Sequence, residues 1–358
     1  MRAVPRVRAI VSLCLVIMLL VSSPVSFAEQ WLDRVRDEMR VGNALKARAL
    51  LQEQGVSLED EEISFLMAET YRREGDLRAA AEKLGKSGDG FLSALGYFNL
   101  GADYSQIEER TSRARVSLAV ARAMAEAQKT TMAADLMDRA RALEGLVALQ
   151  NDNPGRALDA FHRVRADSYI TPVVLYLAGV AQARDGNLRR ALQSWEQVRY
   201  LPMPYRGVGE ARLATIWAHT ERGHYRQALI SSAEARSAFE NSIESLEVLR
   251  ARVAEHGPRM VLRDVTARND ELVEYLRDSR NIASNTTLAW FFQFMETPQS
   301  MVREEQAFTR EFLDFLGAQQ NQMQRFRDQT LYQQAVVYEL IARQENADMV
   351  RQTGGRND

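Results

Sequence analysis

The chain has 358 residues, 46% of them apolar and 26% charged, with a formal net charge of −2. This is the composition of a folded protein and excludes wholesale disorder. The near balance of charge argues against nucleic acid as a partner, which favours a basic face. The length leaves room for about two or three average domains, or for one continuous solenoid.

The first residues read as an address. Arg2, Arg6 and Arg8 form a basic start with no acid among them, and Ala9 to Val21 is an apolar run too short for a comfortable bilayer span. Ser26, Phe27 and Ala28 give a small-x-small cleavage site. Residues 1–28 are therefore expected to be a secretory signal cleaved after Ala28, leaving a periplasmic, exported chain. Cys14, the only cysteine, lies inside the apolar run behind Leu13, which does not fit a lipoprotein signal. Export would leave a chain without disulfides that depends on its core alone, and removing three arginines moves the formal charge from −2 to −5.

From residue 29 the chain repeats itself. Trp31, Leu32 and Val35, the turn Gly42-Asn43, then Ala47 and Leu51 form a first pair of helices. Met67, Ala68 and Tyr71, the turn Gly75-Asp76, then Ala80 and Leu84 form a second. Tyr97, Leu100, Gly101 and Tyr104 open a third, a degenerate or lengthened repeat whose second helix, 111–129, slips out of register. Residues 131–171 return to it with Gly145, a turn at Asn153-Pro154-Gly155, then Ala157, Phe161 and Val164. The clearest unit is 172–204: Leu175, Ala178 and Gly179, the turn Gly186-Asn187, then Ala191, Trp195 and Val198, closed by Pro202 and Pro204. A further unit follows with Ile216, His219, Gly223, Tyr225 and Ala228. Small residues are needed where two helix backbones approach, and a large side chain fills the space between units. No single pair can bury its own apolar face, so neighbours must stack.

After Ala228 the period is lost. The helix beginning near Tyr225 meets no stop signal before His256-Gly257-Pro258, and Phe239, Ile243, Leu246 and Val253 form a coiled-coil-like stripe. A second helix is expected from Pro258, with Leu262, Val265, Leu272 and Leu276 on one stripe. Trp290, Phe291, Phe292, Phe294 and Met295 form an aromatic cluster, which suits burial between the repeats and the C-terminal helices. The last helix is expected from Thr297-Pro298 to about Met349. Its seam holds Phe312, Leu316, Met323, Phe326, Val337 and Leu340, interrupted by Gln319, Thr330 and Gln333.

The repeats over residues 29–256 resemble the tetratricopeptide repeat (TPR) superfamily. The resemblance implies an all-α, TPR-like right-handed superhelical solenoid, followed here by a coiled-coil-like helical region at 257–350 and a tail at 351–358. It also implies a scaffold that holds a protein or peptide partner on its concave face, and no cofactor. Carrying the inward-facing helix positions over by register gives Phe65, Glu69 and Arg72 in the second unit, Tyr176, Val180 and Arg184 in the central one, and Leu213, Trp217 and Glu221 in the next. Mixed aromatic and charged side chains suit peptide or helix binding. The Lys and Asn pattern with which some members of the family clamp a C-terminal carboxylate is absent. The plainer reading is that Tyr176 and Trp217 pack between repeats.

No residue set has the spacing of an active site, so no catalytic residue is expected. His219 and His224 lack a third ligand and fit structural or surface roles better than a metal site. Some lytic transglycosylases are helical superhelices with a catalytic Glu-Ser pair, and Glu244-Ser245 occurs here. It falls inside a long regular helix, without the Gly-Leu-Met-Gln motif of that family. The expectation is an exported, non-enzymatic scaffold of the cell envelope. The alternatives are an oligomer formed through the C-terminal helices and, more remotely, a cell-wall lytic enzyme.

Overall fold

The computed structural model describes residues 27–55, 60–203, 205–263 and 302–354. The leader (apart from Phe27 and Ala28), the Leu272 and Leu276 stripe and the aromatic cluster at 290–295 lie outside them. The described residues form helices and the turns that join them, and the chain divides into two compact units, Met1–Ala140 and Arg141–Asp358.

Unit 1 holds α1 (Phe27–Arg40), α2 (Ala44–Glu53), α3 (Glu61–Arg73), α4 (Leu77–Leu84), α5 (Phe91–Ser105) and α6 (Thr111–Gln128), with a 3-10 turn at Glu108–Arg110 before α6. The turn chemistry repeats: Gly42 and Gly75 adopt φ of 87° and 83°, where a side chain would be strained. Asp76 then accepts a hydrogen bond from Ala79 N at 2.9 Å and starts α4. The acidic run at 60–62 starts a helix. Asp60 caps α3, accepting from Glu62 N and Ile63 N. Glu61 accepts from Ser93 N at 2.9 Å, placing its charge at the N-terminus of α5. Glu62 pairs with Arg36.

Packing follows a small-against-large rule. Ala47 and Leu51, then Ala80 and Leu84, are buried one turn apart on the second helix of each pair. The third pair obeys the same rule: Ala114 lies 34 residues after Ala80, and Ala114 and Leu118 are both fully buried. A side chain on Gly101 would meet Leu118 at 2.8 Å. The register slip expected at 111–129 is thus absent. The helix keeps its phase and is longer, and a 3-10 turn replaces the glycine turn that marks the other pairs.

The helix α7 (Thr131–Gln150) carries the division between the units. Unit 2 continues with α8 (Pro154–Phe161), α9 (Thr171–Arg184), α10 (Leu188–Arg199), α11 (Val208–Glu221), α12 (Tyr225–His256), α13 (Pro258–Arg263) and α14 (Val302–Gly354). At the α7–α8 turn the left-handed residue is Asp152, at φ 52°. Asn153 caps α8 through Arg156 N at 3.1 Å. Pro154 and Gly155 are the first residues of the helix rather than part of the turn. A Cβ on Gly145 would lie 2.3 Å from the Phe161 ring, and one on Gly179 would lie 2.2 Å from Trp195. Trp195, 1% exposed, donates its Nε1–H to the Tyr176 carbonyl at 3.0 Å, which locks α9 to α10.

The end of the chain joins this unit. One core gathers Ile216 from α11, Phe239, Ile243, Leu246 and Val253 from α12, Val261 from α13, and Phe312, Leu316, Met323 and Val337 from α14. The α12 and α14 helices run antiparallel, since Arg250 and Glu247 meet Gln320 whereas Phe239 meets Phe326. The Gln320 amide accepts from Arg250 at 2.6 Å and donates to Glu247 at 2.8 Å, so a buried polar group fixes the register. The buried seam amide is thus Gln320, with its neighbour Gln319 half-buried. The α14 helix continues to Gly354, into the residues expected as a tail.

Gly179→Ala is expected to lower stability by about 1–3 kcal/mol through overpacking against Trp195. Gly155→Ala, with open space around it, is expected to raise stability by about 0.5–1 kcal/mol. Thermal or urea unfolding of the two variants against the parent checks both signs.

Candidate functional site: a groove in the second unit

The nine residues expected to face a partner fall into two sets. In unit 1, Phe65 is half-buried and packs beside the core of α1 to α3. Glu69 is 6% exposed. The Arg72 guanidinium spans both oxygens of Glu69, at 2.8 and 2.9 Å, and reaches Asp103 at 2.7 Å. Asn99 donates to the same Glu69 carboxylate at 3.1 Å. Burial opposes the charge on Arg72, but Glu69 and Asp103 outweigh it and raise its pKa above the ordinary value. These groups satisfy one another and tie α3 to α5.

In unit 2 the other six come together. Tyr176, Val180 and Arg184 from α9 and Leu213, Trp217 and Glu221 from α11 line one groove of about 820 Å³. Trp217 is 39% exposed and sits edge-on to Trp195, with ring centroids 6.3 Å apart. It both packs between repeats and presents a free face. Burial, and then the Glu210 carboxylate, raise the pKa of Tyr176, so its hydroxyl stays a neutral donor near that acid. Arg184 donates to the Leu149 carbonyl at 2.6 Å, a cation near the C-terminal end of α7.

The remaining wall had no counterpart among the residues expected to face a partner, although Phe326 and Gln333 stood in the expected seam of the last helix. It consists of Phe326, Gln329, Tyr332, Gln333 and Val336 from α14. Phe326 lies over Gly209, where a Cβ would come within 2.4 Å of the ring, and the Phe239 ring lies beside it, 5.5 Å away between centroids. The glycine admits the aromatic ring, and the ring seats the helix. The signal was present in the chain as a second stripe on the last helix, with Gln329, Gln333, Val336 and Leu340 at alternating spacings of four and three.

The two singled-out histidines adjoin on the α11–α12 turn, with ring centroids 6.2 Å apart. Among the described residues no group of three or more His, Cys, Asp or Glu could hold a metal ion. Glu244 and Ser245 are exposed on a regular stretch of α12.

Three helix pairs set a glycine on one helix against a large residue on its partner, Gly101 with Leu118, Gly145 with Phe161 and Gly179 with Trp195, and most pairs follow at a period near 34 residues. The repeats are TPR-like. No family model and no curated protein matches the chain. Among solved structures it is similar to Pseudomonas aeruginosa pilF, at 16% identity and a TM-score of 0.40 over 58% of this chain and 90% of that one. It is also similar to the C-terminal part of a TPR repeat-containing protein from Cytophaga hutchinsonii, at 13% identity and 0.45 over 68% and 98%. A third is the P58(IPK) TPR domain, at 11% and 0.25 over 88% and 98%.

Two outcomes are expected of this region. Gly209→Val is expected to unseat Phe326 and cost about 1–3 kcal/mol. Limited proteolysis would then cut within 326–340, sites protected in the parent.

The second concerns His219. Its Nδ1 is buried without a hydrogen-bond partner. Burial first, then His224, Arg222 and Arg199, hold its pKa below the ordinary value. The native state therefore favours the neutral ring. That contribution is complete above the unfolded-state pKa of about 6.5 and declines as pH falls below it. Thermal midpoints measured between about pH 7.5 and 5.5 should fall less steeply for His219→Gln than for the parent.

Proposed function

We propose that this protein is a non-enzymatic interaction scaffold, and that the groove bounded by α9, α11 and α14 receives a helix supplied by another protein chain. The observation that carries the reading is the groove itself. Two walls are TPR-like first helices presenting Tyr176 and Trp217, and the third is a helix already docked by a phenylalanine seated on a glycine. Aromatic side chains with a free face and a polar tip are the usual anchors of protein interfaces. The groove volume corresponds to about two turns of a helix some 10 Å wide.

The same proposal puts this scaffold in the exported compartment of the cell envelope, a reading supported by the basic start, apolar run and small-x-small site of residues 1–28. Among the described residues no helix is long and apolar enough to cross a membrane. The Glu244-Ser245 pair supports a lytic enzyme poorly, because a general acid needs a shaped cleft around its carboxyl. Unchanged turnover of peptidoglycan after Glu244→Gln would remove that alternative.

The test places a photo-crosslinking amino acid at Tyr332 in cells and compares the parent with Tyr176→Ala plus Trp217→Ala. A discrete crosslinked protein that disappears in the double variant is expected. The same crosslinks from both, or as many from a probe at Val116 in unit 1, would overturn the assignment.

A further inference from the structure

The α14 helix outruns its support. Its inner seam is buried against α12 as far as Val337, whereas residues 342–349 are exposed. Isolated helices of about a dozen residues are marginal in water. The outer stripe does not stop at the groove. Gln329, Gln333, Val336, Leu340, Arg343 and Ala347 keep alternating spacings of four and three, the interval of a coiled-coil seam. One part of this seam forms a groove wall and the next part projects beyond the fold.

We propose that the occupant of the groove is the projecting end of α14, residues 342–354, from a second copy of this chain, exchanged reciprocally across a two-fold axis near Leu340. This rests on reading the groove as a helix-docking site, and it names the chain that docks. The groove-lining residues of α14 run from Phe326 to Val336. The projecting end lies about as far beyond Leu340 as those residues lie before it. Antiparallel pairing of two α14 helices about that point sets each projecting end alongside the other copy's groove wall, so one isologous contact serves both.

Charge agrees with this register. The α11 and α12 helices form a hairpin, and α12 and α14 are antiparallel, so α11 and α14 run in the same direction. Phe326 over Gly209 aligns them. Glu210 therefore lies toward the start of the groove-lining part of α14, and Glu221, on the last turn of α11, toward its end. In the antiparallel partner, Arg351 comes beside the first and Arg343 beside the second. Both arginines are open, with side chains 72% exposed for Arg343 and 82% for Arg351. Their own-helix pairs, with Glu339 and Asp348, are surface pairs that hold them weakly. Two basic groups thus meet two acidic groups in matching order.

The experiment is sedimentation equilibrium of the full chain with a charge swap. The parent is expected to form a concentration-dependent dimer. Glu221→Arg and Arg343→Glu are each expected to weaken it by about tenfold or more. Glu221→Arg combined with Arg343→Glu is expected to restore most of the loss. Both positions are exposed, so circular dichroism should show unchanged helicity in all three variants. A parent that stays monomeric up to about 100 μM, a concentration at which micromolar contacts would form, overturns the proposal. So does a dimer indifferent to the single reversals, or a double variant no better than the singles. Photo-crosslinking from Tyr332 separates this failure from that of the groove. Crosslinks to a different protein with a monomeric parent would sink the second copy and keep the docking groove. No crosslink at all would sink both.

Discussion

The contact between Phe326 and Gly209 decides what unit 2 can do. A glycine at that point leaves a hole the size of a side chain in the surface of α11, and the ring of a residue more than a hundred positions later fills it. Phe239 packs at a tilt against the same ring, and Gln320 fixes the helix register farther along between Arg250 and Glu247. Without this seat α14 would still pack on α12 through Phe312, Leu316 and Val337, but it would not be held across α11, and the face of α9 and α11 would be an open, shallow surface. With it, the same face becomes a three-walled groove.

The repeats earlier in the chain solve a different problem. Each pair of helices must approach closely at one point and fill space at another. Gly101 with Leu118, Gly145 with Phe161 and Gly179 with Trp195 do this with different large residues. Polar groups between repeats are satisfied internally, as with Glu69, Arg72, Asn99 and Asp103 in unit 1. Such a network ties helices together and leaves its members little capacity for a ligand. Arg184 is held by one backbone carbonyl, and Glu221 is exposed on the groove margin. The difference between the two sets lies in how their polar groups are paired, not in residue type.

The helix pairs were legible because close approach and space filling impose residue types at fixed spacing, and glycine turns mark the boundaries. Where a marker was missing, reading faltered. Ala114 and Leu118 keep the period, but a 3-10 turn stands where Gly-Asn or Gly-Asp stands elsewhere, so the third pair read as out of register. The turn at 152–155 was displaced because Asp152 adopts a conformation normally left to glycine. Six groove residues followed from repeat register, since register fixes which side of a helix a position occupies. The third wall could not follow, because no local pattern records which distant helix packs where. Gly209 looks like any other glycine until Phe326 is placed above it. Glu69 and Arg72 show the converse: register gives their direction but not the Asp103 that engages Arg72.

Hydrogen exchange along α14, followed at low and high protein concentration, tests most directly whether this helix is both wall and ligand. If it is, the amides of residues 312–337 exchange slowly at both concentrations, held by the core and by the seat on Gly209. Those of residues 342–354 exchange rapidly when dilute and slow down as concentration rises. Rapid exchange across 326–337 at either concentration would contradict the seating of α14 and, with it, the groove.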